Sequence, residues 1–160
     1  MKHGLKMNKI NKWIFFITIL FLIPIGFSCI TVNRFTHIRY SDGLNACGVL
    51  FSTIGIFYSI SLSIIFSFSF EKLKSTTLIE LHRKQLKECK NKVTFYFVIA
   101  LILEIIIVFN SDLIIIIPNI NLKFNSIVAS MLILMFLLVF TIVNFSSLAK
   151  SKIKLEDELK

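Results

Sequence analysis

The segment SIVASMLILMFLLVFTIVNFSSLA, Ser126 to Ala149, runs 24 residues without a charged side chain, and its reading decides the fold. About 20 apolar residues in helical form cross a bilayer core of about 30 Å, so this segment is long enough to span a membrane. Working outward, three more apolar stretches fit the same description: Trp13 to Val32, Leu44 to Phe70, and Val93 to about Phe109 or onward to Ile117. The fold class read from this pattern is all-α integral membrane. The expectation is one domain over residues 1–160 with four transmembrane helices near 13–32, 44–70, 93–117 and 126–149. Loops this short leave no room for a separate soluble core.

Composition agrees, with 56% apolar and 17% charged residues, against about 25% charged in an ordinary soluble domain. The net charge of +9 is not spread evenly, since 15 of the 18 Lys and Arg fall in residues 1–12, 71–92 and 150–160. This alternation places both termini and the middle segment in the cytoplasm by the positive-inside rule. It assigns the basic charge to the lipid surface rather than to direct nucleic-acid binding. The expected site is the bacterial inner membrane, multi-pass. Lys2, Lys6, Lys9 and Lys12 precede the first stretch as they would in a secretory signal. That stretch is too long for one and lacks a small-x-small cleavage site, so it reads as a first span with Trp13 at the inner interface.

The middle segment, residues 71–92, contains no Gly or Pro, and Leu78, Leu81, Leu86 and Cys89 recur at helical spacing. The prediction is a cytoplasmic hairpin in which spans two and three continue as helices. Leu78, Leu81, Arg83, Lys84 and Lys87 are its candidate docking residues for a soluble partner.

Glu104 sits inside the third apolar stretch. A carboxylate at that depth costs at least about 2.5 kcal/mol unless paired, hydrated or protonated, so it must face protein or water. No Lys or Arg lies in any stretch, which leaves hydroxyls, Asn110 or the same residue of a second copy as partners. Glu104 and Asn110 are the candidate intramembrane polar site or gate, with a helix-stitching role as the plainer reading. Gly48, Ser52, Gly55, Ser59 and Ser63 form a small-residue stripe on the second span. Helix packing explains such a stripe first, and a narrow polar path in a homo-oligomer second. Asp42-Gly43 reads as a turn before that span.

Cys29 and Cys47 fall near the outer ends of the first two spans, where a bridge needs Cα atoms within about 7 Å. His3, His37 and His82 lie in three different segments. Nothing here assembles a metal site, a cofactor site or a nucleophile-base pair, and the chain does not read as an enzyme.

Asp42-Gly43-Leu44 leading into the second span, Leu103-Glu104 in the third and a small four-span body with a charged tail resemble the RexB family of phage-exclusion proteins over roughly residues 40 to 110 of the chain. The body is similar also to the membrane component of Kiwa-type defence systems. The resemblance implies an antiphage component that perturbs membrane permeability and works with a cytosolic protein, itself nucleic-acid-binding in the Kiwa case. The long middle hairpin departs from the RexB pattern. A different function class, immunity against a pore-forming bacteriocin, would act by helix contacts within the bilayer and need no cytosolic partner.

Overall fold

The computed structural model describes residues 9–31, 40–68, 76–109, 114–118 and 122–158. They form α1 (Lys9–Thr31), α2 (Tyr40–Phe66), α3 (Thr76–Phe109), a hairpin of β1 (Ile114–Ile117) and β2 (Leu122–Asn125), and α4 (Ser126–Glu158). Three segments, Tyr40–Phe66, Ile79–Phe109 and Ser126–Ile153, are long and apolar enough to cross a membrane, and Phe15–Thr31 is a shorter apolar helix. The chain is a helical transmembrane protein.

Helix α4 packs against each of the other three helices. Within the most apolar window of each long helix, 44% of α4 is buried against 28% of α3 and 11% of α2, which makes α4 the centre of the bundle. Its buried face runs through Ile127, Ser130, Leu134, Leu137, Thr141 and Leu148. On α3 the corresponding face runs His82, Leu86, Val93, Tyr96, Ala100, Leu103 and Ile107. On α2 it runs Gly43, Cys47, Ile54 and Ser61. These positions fall at multiples of three and four that add up to sevens, the spacing at which two helices stay in contact over many turns at a shallow crossing angle.

Helix α1 uses a different rule. Leu20, Pro24 and Ser28 are buried at steps of four, and one turn earlier the Phe16 ring meets Phe140 edge-on, 4.8 Å between centroids. Pro24 has no N–H, so the Leu20 carbonyl loses its helical donor. The fully buried Pro24 lies in a helix that packs on α4 and β2, and a proline is tolerated in a membrane helix where neighbouring protein covers the break. The Trp13 side chain lies outside the described residues.

Several boundaries differ from the sequence reading. Of the two ends left open for the third apolar stretch, Phe109 is the one found and Ile117 is not, because α3 stops at Phe109 and Ile114–Ile117 is a strand paired antiparallel with Leu122–Asn125. Four consecutive β-branched isoleucines favour extended backbone once the polar Asn110-Ser111-Asp112 break has ended the helix. Ile115 and its cross-strand partner Phe124 face the bundle, while Ile114, Ile116 and Ile117 are exposed. A two-stranded sheet has open edges that hydrocarbon cannot satisfy, so the hairpin belongs at the membrane surface.

The helix of span two ends short of Phe70, and residues 69–75, where the sequence reading continues it into the cytoplasmic hairpin, lie outside the described residues. Helix α2 closes at Phe66, where the Ser67 N–H donates to the Ser63 and Ile64 carbonyls and the Ser67 hydroxyl donates to the Ile64 carbonyl at 2.8 Å. A tightened last turn of this kind ends a helix. Nor is Asp42-Gly43 a turn, since α2 begins at Tyr40. Asp42 stands in its first turn, where a negative charge complements the helix dipole. By contrast α3 is one unbroken helix of 34 residues, about 51 Å long at 1.5 Å per residue, and so outruns the bilayer core.

Two contacts fix the end of the bundle that carries the hairpin. A side chain at Gly43 would collide with the Ile127 methyl groups, so glycine permits the close approach of α2 to α4. The buried Asn125 caps α4, its Oδ1 accepting the Val128 N–H at 3.1 Å. Replacement Asn125→Ala is expected to lower stability by about 1 kcal/mol, with Asn125→Ser retaining most of it, measured by unfolding in detergent micelles. In the same assay Gly43→Ala should destabilise the wild-type background and cost clearly less in an Ile127→Ala background, a coupling of at least about 0.5 kcal/mol between the two positions.

Candidate functional site

Glu104 lies on α3 one turn beyond the buried Ala100, on the side that meets α2. Its Oε1 is 3.7 Å from the point a Cβ on Gly48 would occupy. Its Oε2 is buried and has no hydrogen-bond partner among the described residues. Gly48 therefore does one definite thing: the missing side chain leaves room for the carboxyl between the helices. Asn110, the expected neighbour, lies outside the described residues.

The small-residue stripe of α2 is not the seam that packs on α4. Its glycines face α3, Gly48 toward Glu104 and Gly55 toward the Phe97 ring, which lies 3.6 Å from where a Cβ on Gly55 would sit. Phe97 is stacked in parallel on Tyr58 at 4.4 Å and lies 5.8 Å from Phe51, so Gly55 supports a three-ring stack. Ser52, Ser59 and Ser63 are exposed. The Ser59 hydroxyl donates to the Gly55 carbonyl at 3.0 Å, which lowers the cost of its facing lipid. The true α2–α4 seam lies at Gly43, Cys47, Ile54 and Ser61.

Above Glu104, the Tyr40 hydroxyl donates to the Ile107 carbonyl at 2.7 Å. That carbonyl lies in the last turn of α3, where no intrahelical donor is available. Tyr40 thus ties the start of α2 to the end of α3, and no spacing in the sequence announces it.

At the other end, the predicted apolar stripe of the arm splits. His82, Leu86 and Cys89 turn inward, with the Cys89 thiol 3.9 Å from the Asn144 carbonyl and Leu86 and Leu148 both buried. Leu81 is 52% exposed, and Arg83, Lys84 and Lys87 are exposed beside it. The Leu78 side chain lies outside the described residues. The arm therefore offers one exposed leucine among cations, while its more continuous apolar face packs on α4. The signal for this was the heptad spacing running on from Val93 back to His82, which a stripe of leucines alone obscures.

Cys29, Cys47 and Cys89 are free thiols. Helix α1 packs on α4 and β2 rather than on α2, so Cys29 is not brought to Cys47. Among the described residues no group of three or more His, Cys, Asp or Glu side chains could hold a metal ion.

No protein-family model, curated protein or solved structure matches the chain significantly.

Proposed function

We propose that the chain is a four-span inner-membrane protein with both termini in the cytoplasm, working as a homo-oligomer that couples a cytosolic protein to a polar point inside the bilayer. The observation that carries this reading is the continuity of α3: one unbroken helix bears Arg83, Lys84 and Lys87 at its exposed arm and Glu104 within its apolar part. A rigid rod transmits a tilt or shift from one end to the other without a hinge, as interface helix shifts do in other switching proteins.

Further features support it. The apolar outer face of α1, with Leu22 at 63% and Ile30 at 83% exposure, suits a fourth lipid-facing span. The distribution of Lys and Arg supports the orientation. The thin burial of α2 and its exposed Val49, Ile56 and Ile60 suit contact with a second copy. Defence against phage, by a change in membrane permeability, is the setting we propose on the resemblance to RexB and Kiwa-type membrane components.

One observation favours bacteriocin immunity instead. An open groove of 520 Å³ runs along α2 past Ser52, Gly55 and Ser59 toward Phe97, and a foreign helix could lie in it with no cytosolic partner involved.

Two experiments separate these readings. Glu104→Gln keeps the shape and removes the charge, so the protein should fold and assemble normally while phage plating and ion flux in reconstituted vesicles both change. Unaltered plating and flux would remove Glu104 from the mechanism. Reversing charge at Arg83, Lys84 and Lys87 should release a cytosolic protein from pull-downs while membrane insertion is preserved, each lost exposed pair weakening the complex by about 0.2–1 kcal/mol. Recovery of the same partner by the reversed variant would reject docking on the arm.

A further inference from the structure

Where the apolar part of α3 gives way to its charged arm, a polar cavity of 220 Å³ opens between α3, the end of α2 and the later turns of α4. It is smaller than the sites of about 300–1,000 Å³ that hold drug-sized ligands. Gln85, Glu88 and Lys92 of α3 line one side, Asn144 and Ser147 of α4 the other, with Phe68 at the end of α2. From the geometry we infer that this cavity binds the headgroup of an ethanolamine phospholipid from the adjacent leaflet.

Depth carries the inference. Lys92 directly precedes Val93, the first residue of the apolar run, so its ammonium lies at the level of the lipid phosphates. Glu88 is one helical turn, about 6 Å, farther from the hydrocarbon. Both side chains line the cavity. An ethanolamine headgroup has the same order: phosphate next to the glycerol, then two methylenes, then an ammonium farther out. Lys92 and the Ser147 hydroxyl donate to the phosphate, while Glu88 and the Gln85 carbonyl accept from the ammonium N–H groups. Charge-assisted bonds of this kind are about twice as strong as neutral ones.

The alternatives fit less of the wall. Inorganic phosphate leaves Glu88 facing an anion, and a glycerol headgroup offers it only neutral hydroxyl donors in place of a cation. A choline headgroup has no N–H for Glu88 and is ordinarily caged by several Trp, Tyr or Phe faces, whereas Phe68 and the buried imidazole of His82 are the only rings among the described residues of this lining. Lys90 stands over the Phe66 ring at 5.5 Å and the Lys152 ammonium lies 3.2 Å from the Ser67 hydroxyl, so two further cations gather at the end of α2 beside Phe68 of the lining. The inference rests on the membrane boundary at Lys92 and not on a role in phage defence.

The test reconstitutes the full chain in phosphatidylcholine nanodiscs doped equally with phosphatidylethanolamine and phosphatidylglycerol, and reads retained lipid by native mass spectrometry. The expected result is preferential retention of the ethanolamine lipid. Glu88→Gln should erase its preference over the glycerol lipid, and Lys92→Gln should weaken retention of both about tenfold. Equal retention by the wild-type chain, or an ethanolamine preference that survives Glu88→Gln, overturns the proposal. Water-soluble glycerophosphoethanolamine distinguishes the source: binding as tight as that of the lipid would assign the cavity to a soluble headgroup compound and reject the bilayer as its supplier.

Discussion

Within a bilayer, lipid tails are as apolar as the helix faces they touch, so burying leucine against leucine does little to hold helices together. What remains is the fit of surfaces and the satisfaction of polar groups, and in this bundle both converge on α4. Gly43 lets α2 approach Ile127 closely. Asn125 closes the first turn of α4 through the Val128 N–H. The buried Thr141 hydroxyl donates to the Leu137 carbonyl, and the Asn144 side chain to the Phe140 carbonyl at 2.7 Å. These polar groups bond to α4's own backbone, and Asn144 in addition reaches α3, where it meets the Tyr96 hydroxyl and accepts from the Cys89 thiol. The other helices are arranged around it.

That arrangement explains which parts of the fold are legible in the sequence. Chain length without charge is enough to mark the apolar segments, and the isolated carboxyl of Glu104 is conspicuous for the same reason. The interfaces are harder, because a stripe of small residues and a heptad of mixed sizes lie side by side on α2. The residues of the stripe attract notice, yet the buried positions are Cys47, Ile54 and Ser61, whose chemistry has nothing in common except the seven-residue step. The hairpin is hidden for a related reason. Alternation is the mark of a strand, and four isoleucines in a row show none. The Tyr40 bond to the Ile107 carbonyl joins positions 67 residues apart and leaves no local trace at all.

The candidate site is half legible. Glu104 and Gly48 each stand out in the sequence, but their meeting depends on the rotation of α2, which the Gly43–Ile127 approach little more than a turn away helps to set. The residues of the arm stand out as a group, and the structure divides them. Arg83, Lys84 and Lys87 remain outside, while the apolar residues expected beside them split between an exposed Leu81 and a buried Leu86. Burying Leu86 and His82 against α4 stiffens the arm, and a stiff arm is a better lever than a floppy one.

The two ends of the bundle consequently have different characters. Near the hairpin, the space between helices is apolar, lined by residues such as Phe21, Ile107, Phe124 and Ile133, and the polar groups there are spent on caps and ties. Near the arm, a cavity beside the α3–α4 contact is lined by Gln85, Glu88, Lys92, Asn144 and Ser147, leaving polar groups gathered around open space. Helices that only needed to pack would line such a gap with apolar side chains, as they do at the opposite end, because buried polar groups without partners are costly. A polar gap at the depth where hydrocarbon meets water carries no such penalty, since headgroups and water both reach it. Under the coupling and the headgroup site we propose, lipid composition and partner binding would act on the same helix, α3, and through it on the carboxyl of Glu104.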